Sequence, residues 1–304
     1  MTAVLPVETE SNKTGESHEF RPRRVAFDYS STPNHWVPDD PHTTHVANVL
    51  HLLLPAGERW FCDVYRNALP LIDDPALARD VKAFIGQEAT HARAHAVVLD
   101  HLAANGIDHS RFTRLIEWGF TRVPAGEAPS WLPGPAQRYL TRRYLLDQLA
   151  GIAAIEHFTA VMGWWIVVSR GLDEAGADPA MMNLLRWHGA EEVEHRSVAF
   201  DAYRALGGGE VRRVLFMAVA FVGIFAAWAA GTNHLMRKDP DIRRGRASLR
   251  KFLRAGRQGR LPTIGMLAGA VPRYLRRDYH PSEEGRTDVA VAYLQSADLG
   301  SKAA

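Results

Sequence analysis

Two Glu-x-x-His motifs stand out in the chain, Glu88/His91 and Glu192/His195. Residues three apart share one face of an α-helix, so each pair can grip one metal ion. Each motif follows a lone glutamate on the preceding helical stretch, Glu58 before Glu88 and Glu156 before Glu192. The two halves repeat at nearly the same spacing, one helix, a turn and part of the return helix. Two antiparallel helix pairs would therefore gather four carboxylates and two imidazoles at a bundle centre. Glu156 lies in Gly151-Ile-Ala-Ala-Ile-Glu-His-Phe, an almost apolar stretch. A carboxylate buried there is costly unless paired or metal-bound, and four converging carboxylates repel one another without a cation. Four oxygen donors and two imidazoles suit two iron ions, with manganese or a mixed pair as alternatives and zinc behind them.

Further residues share these faces. His95 follows His91 by four, and His188 precedes Glu192 by four; both are expected to orient ligands or line the cofactor cavity. Glu191 precedes the second motif and Glu194 lies within it, and one of them could serve as general base. Tyr65, seven after Glu58, and Thr159, three after Glu156, are candidates to line the site. For Thr159 the commoner alternative is a bond to its own helix backbone. Cys62 is expected to pack as a small apolar residue.

The elements that must position these groups are helical. No stretch shows sustained period-two alternation between hairpin turns, so the class is all-α, a ferritin-like four-helix bundle with a long crossover. Residues 1–40 read as an irregular arm and 41–209 as the bundle. Residues 210–280 read as an apolar helix and a basic helical extension packed on the bundle, and 281–304 as a loose tail. The first helix, from Thr43, carries Pro55 and Gly57, which predict a kink or break. Asp73-Asp74-Pro75 reads as a helix start and Asn105-Gly106 as its end. A short helix over 110–121 and a proline-rich connection over 124–135 lead to a long helix over 135–170. Another runs over 179–206, stopped by Gly207-Gly208-Gly209. Shorter basic helices are expected at 241–256 and 262–277.

Of the 304 residues, 46% are hydrophobic and 23% charged, which excludes a largely disordered or collagen-like chain. One cysteine excludes an internal disulfide. The formal charge of +2 averages a split. From Arg237 to Asp278, 13 Lys/Arg face 3 Asp/Glu. The beginning of the sequence carries no basic-then-apolar signal, so the expected location is cytoplasmic. Val214–Ala230 is apolar and uncharged. Burial in a helical core is the favoured reading; contact with an anionic membrane surface through 210–280, at the inner face of the membrane, is the sharper one. Nucleic acid ranks last as a partner of the basic segment, because no recognition motif accompanies the charge.

Taken together, Pro55-Ala-Gly-Glu-Arg59, Gln87-Glu-Ala-Thr-His91, Glu156-His-Phe-Thr159 and Trp187-His-Gly-Ala-Glu-Glu-Val-Glu-His195 resemble a bacterial family of predicted metal-dependent hydrolases. That family's helices are similar to ferritin-like di-metal carboxylate proteins, and the resemblance covers roughly residues 20–280. It implies metal ligands at Glu58, Glu88, His91, Glu156, Glu192 and His195, the set that spacing also selects. Three functions compete. The favoured expectation is a di-iron oxidase or oxygenase acting on a hydrophobic small molecule, with 214–230 walling an apolar pocket. The second is hydrolysis by a metal-activated water. The third is a non-enzymatic metal-binding bundle.

Overall fold

A computed structural model describes residues 20–122 and 129–297. The described residues form helices and no strand. Three long helices start on the same device. Asp40, Asp74 and Asp178 each accept a hydrogen bond from a first-turn backbone N–H, and each is followed by proline. Proline at the first position has no N–H to strand, and its fixed φ suits the helix. These starts open helix α1 (Pro41–Ala68), α2 (Pro75–Ala104) and, further on, α6 (Pro179–His195). Between α2 and α6 come α3 (Ser110–Arg122), α4 (Gly134–Val168) and the short α5 (Gly171–Glu174); α7 (Val198–Ala205) follows α6.

Helix α1 packs along α2, and α4 along α6 and α7, giving two hairpins that face each other as a four-helix bundle. Helix α3 lies across α1 and forms part of the connection between the hairpins. The expected proline-rich connection over 124–135 lies partly outside the described residues. Two apolar clusters fill the bundle. One holds Trp36, Leu52, Leu102, Leu184 and Trp187, the other Tyr65, Phe84, Ile152 and Tyr203. Glu58, Glu88, His91 and Glu156 fall between them along α1, α2 and α4.

Glycine sets the closest helix approach. A Cβ on Gly163 would sit 2.5 Å from the Gly189 carbonyl oxygen and 3.0 Å from Glu192 Cβ. Only paired glycines let α4 and α6 cross this tightly, and that crossing brings Glu192 beside α4.

Helix α8 (Glu210–Lys238) packs on α4 and α1, α9 (Leu249–Arg257) on α1, α10 (Ile264–Leu275) on α4 and α8, and α11 (Thr287–Ser296) on α6. Four expectations change. Helix α1 continues through Pro55, where the expected break does not occur. The expected helix over 179–206 is interrupted at Arg196-Ser197. The tail over 281–304 is not loose throughout, since α11 buries Ala290 and Leu294. Finally, α8 is not a core helix. Only 11% of its most apolar stretch is buried, against 61% for α4.

Candidate metal centre

Glu58 comes from α1, Glu88 and His91 from α2, Glu156 from α4, and Glu192 and His195 from α6, and all six are buried. His195 Nε2 lies 3.2 Å from Glu88 Oε1, 3.3 Å from Glu156 Oε2 and 3.5 Å from Glu192 Oε2. His91 Nδ1 lies 3.6 Å from both Glu88 Oε1 and Glu192 Oε1. Four overlapping triads result here among the described residues: Glu58–Glu88–His91 and Glu88–Glu192–His195, which share Glu88, and Glu58–His95–His188 and His91–His188–Glu192, which share His188.

Buried polar atoms normally find hydrogen-bond partners. Here both oxygens of Glu58, Glu88 and Glu156, one oxygen of Glu192, His91 Nδ1 and His195 Nε2 have none among the described residues. The other atom of each partly bonded group is held from outside. His91 Nε2 donates to Glu191 Oε2 at 2.9 Å, and His195 Nδ1 donates to Gln87 Oε1 at 2.9 Å. Glu192 Oε1 accepts from His188 Nε2 at 2.8 Å. Inward lone pairs with outward ring nitrogens fixed by a carboxylate or amide are what a metal centre needs. The donor set fits a hard or borderline cation, because oxygens outnumber nitrogens and no thiolate takes part.

The electrostatics point the same way. Burial, then the neighbouring Glu88, pushes the Glu58 carboxyl well above its ordinary range. Burial, then Glu192, pushes Glu156 up to about 8. Burial alone would depress both site histidines. Glu191 and Glu88 outweigh it at His91, and Glu192 and Glu156 at His195, so both are raised. Burial would raise Glu192, but His195 and His188 hold it well below the carboxylate range. With metal-free donors, the cluster recruits protons to do a cation's work.

Glu191 and Glu194 do not stand ready as bases. Arg23 bonds both, Nη1 to Glu191 at 2.8 Å and Nη1 and Nη2 to Glu194 at 2.7 Å. Gln87 Nε2 donates to Glu194 Oε2 at 2.7 Å. Both carboxylates, expected as candidate general bases, are thus engaged by other side chains, Glu191 by Arg23 and His91 and Glu194 by Arg23 and Gln87. Thr159 Oγ1 donates to the Glu156 carbonyl of its own helix at 3.0 Å. Tyr65 is buried, and its hydroxyl has no partner among the described residues. Burial, then Glu156 and Glu88, holds that phenol well above its usual range. Cys62 donates weakly to the Ile85 carbonyl.

A file of three imidazoles leads away from the centre. His188 Nδ1 meets His95 Nε2, and His95 Nδ1 meets His51 Nδ1 at 2.7 Å. Burial, the first cause in each case, depresses all three, so they are neutral at pH 7. Ionised Glu192 needs a donor, so His188 is protonated on Nε2. His95 then donates from Nε2 and His51 from Nδ1, which leaves His51 Nε2 as a buried lone pair without a partner. The sequence reading missed His51, though it precedes Glu58 by seven residues. It also missed Gln87 and Arg23, and nothing local marks Arg23.

An apolar cavity of about 490 Å³ reaches this centre. His188, Glu192, Gly163 and Thr159 line it on the bundle side, and Phe158, Phe221, Phe225 and Trp228 are among the apolar residues that extend it between α4 and α8.

A family model described as predicted metal-dependent hydrolase matches residues 21–285. The chain therefore belongs to that family. No curated protein and no solved structure matches it.

Proposed function

We propose that this member of the predicted metal-dependent hydrolase family binds two metal ions at Glu58, Glu88, His91, Glu156, Glu192 and His195, and hydrolyses a hydrophobic substrate. One observation carries the reading. Glu192 and His188 line both the donor cluster and the apolar cavity. A substrate held in that cavity meets the centre where those two residues stand.

Two bound metals would acidify a water and polarise the scissile bond. The residues of the chain do the rest. Glu191 and Gln87 fix the ring planes of His91 and His195. Arg23 balances the charge of Glu191 and Glu194, so that neither competes for a cation. His188, at the cavity wall, donates its Nε2 proton to Glu192 Oε1 and so orients that carboxylate. The aromatic wall from Phe158 to Trp228 excludes water from the rest of the substrate. The cavity volume falls within the roughly 300–1,000 Å³ usual for small-molecule sites.

Oxidation of a hydrophobic substrate is the second reading. Its support is the donor set, rich in carboxylates and free of thiolate, which suits iron. One experiment separates the two. The purified protein, loaded with iron, manganese or zinc, is offered 4-nitrophenyl esters of increasing acyl length. Hydrolysis predicts metal-dependent ester cleavage, abolished by a chelator and restored by metal, with kcat/KM rising with chain length. No cleavage with any metal, together with oxygen uptake by the reduced iron form, would replace hydrolysis by oxidation.

A further inference from the structure

Helix α8 is amphipathic in an unusual sense, because the face it turns outward is apolar. Val211, Val214, Leu215, Ala218, Val219, Val222, Ala226 and Ala229 follow one another at helical spacing, and all are exposed. Val211 is 85% exposed, Val222 66%, and Leu215 and Val219 58% each. No charge interrupts the stripe, which runs for about 27 Å at 1.5 Å per residue. Monomeric proteins rarely leave such a patch uncovered.

The opposite face is anchored. Met217, Ala220 and Leu235 are buried, and Arg213 is buried with its guanidinium bonded to the carbonyls of Tyr274 and Arg276. So α8 cannot leave the domain to cross a bilayer, although its length and composition would permit it. Its two ends also carry basic residues, Arg212 at one and Arg237 and Lys238 at the other.

The segment that follows α8 holds the strongest concentration of cations in the chain. Seven Lys/Arg occur between Arg243 and Arg257 with no acidic residue among them, and all seven are exposed. None forms an ion pair with another described residue. Helix α9 also exposes Leu249 (67%) and Leu253, and α10 exposes Ile264. The cavity that reaches Glu192 opens among these elements. Ala229 of α8, Leu249 of α9, and Ile264 and Ala268 of α10 line it and are exposed. Its mouth is thus apolar and flanked by unpaired cations.

We propose that α8, α9 and the start of α10 form a docking surface for an anionic phospholipid bilayer. Helix α8 lies in the plane of the interface and the cations meet the headgroups. Charge complementarity selects this occupant over a second copy of the chain, whose own seven cations would meet these. A duplex would pair with the cations but leave the apolar stripe in water. The surface also gives the substrate a class: a bilayer-resident amphiphile that slides chain-first through the mouth between Leu249 and Ile264. That last step rests on the function proposed above, while bilayer binding does not.

Flotation of the full-length protein with vesicles tests the docking surface without reference to any reaction. Vesicles of phosphatidylcholine with one-third phosphatidylglycerol are compared with phosphatidylcholine alone, across a salt series. The expected result is binding to the anionic vesicles, at least tenfold weaker on neutral ones and weakened by salt. Leu215→Gln with Val219→Gln and Val222→Gln should lose at least tenfold. Arg250→Gln with Lys251→Gln and Arg254→Gln should lose roughly a hundredfold on anionic vesicles, from about 1 kcal/mol for each cation at such a surface. Unchanged circular dichroism and metal content show that both variants fold. The proposal is overturned when the unsubstituted protein stays off anionic vesicles, when the stripe variant floats as before, or when the protein is a dimer that ignores vesicles and is split by the stripe substitutions. Salt-dependent capture of duplex DNA without vesicle binding would overturn it in favour of nucleic acid.

Discussion

Glu191 Oε2 accepts a hydrogen bond from His91 Nε2 at 2.9 Å, between helices whose contacting residues lie 100 positions apart in the chain. The pairing turns His91 so that Nδ1 faces the carboxylate cluster. Arg23 holds Glu191 in turn. If this is positioning, Glu191→Ala should lower metal affinity by about 10–100-fold. Glu191→Gln, which keeps an oxygen acceptor, should recover most of the loss. Metal competition titrations with a chromogenic chelator check both; equal affinities in all three proteins would contradict the role.

Gly163 and Gly189 let α4 and α6 cross in backbone contact. Gly163→Ala places a methyl 2.5 Å from the Gly189 carbonyl and must push the helices apart. The cost of such overpacking is about 1–3 kcal/mol, and Glu192 moves away from α4 with its helix. Thermal melts should show the destabilisation, and metal content should fall with it. Gly119, inside α3 and with nothing within 4 Å of an added Cβ, serves as the control: Gly119→Ala should raise stability slightly, by up to about 1 kcal/mol, and leave metal content unchanged.

The metal-free protein should lose stability as pH rises. Glu156 has its folded pKa raised from 4.5 to about 8, and those of His91 and His195 are raised above 6.5. Each binds more protons folded than unfolded above its unfolded value. The contribution of Glu156 is complete below about pH 4.5 and lost as pH rises through about 8. That of the two histidines is complete below pH 6.5 and lost as pH rises through their raised folded values. Glu192, depressed, acts oppositely below about pH 4.5, and the buried histidines with depressed values, His51, His95, His157 and His188, act oppositely up to about pH 6.5. The melting temperature of chelator-treated protein should therefore fall above pH 6.5, between about pH 7 and pH 8.5, where the raised groups alone release their extra protons. Metal-loaded protein should not follow, since cations replace the protons. A metal-free melting temperature that rises over that range would contradict the proton count.

Chain-length preference should respond to the cavity wall. Ala47 lines the cavity and is partly exposed. Ala47→Phe should raise KM for a long acyl ester while leaving a short one unchanged, because the added ring takes space far from Glu192. Steady-state kinetics on the ester series decide it; equal effects on both lengths would place the substrate elsewhere.

The helices were largely readable because local chemistry writes their ends. Asp74-Pro75 starts α2 and the glycines from Gly207, itself at φ +87°, follow α7. The six candidate donors were readable because two identical spacings demand the same helical face. Other features depend on the tertiary structure. Pro55 should free the carbonyl of His51 and break α1, yet α1 is packed on α2, α3, α4 and α8 and runs on. Arg23 reaches Glu191 and Glu194 from an irregular segment 168 and 171 residues away, a distance over which no periodicity operates. Composition placed the apolar run 214–230 in the core, because hydropathy registers an apolar face without telling which side it turns to.

The central claim is a two-metal centre on these six side chains, and metal content tests it most directly. Protein purified without added metal, analysed by mass spectrometry against amino-acid analysis, should carry two ions per chain. Glu88→Ala together with Glu192→Ala should remove both ions while circular dichroism stays helical. Fewer than one ion per chain in the unsubstituted protein, or an unchanged content in the double variant, would contradict the account.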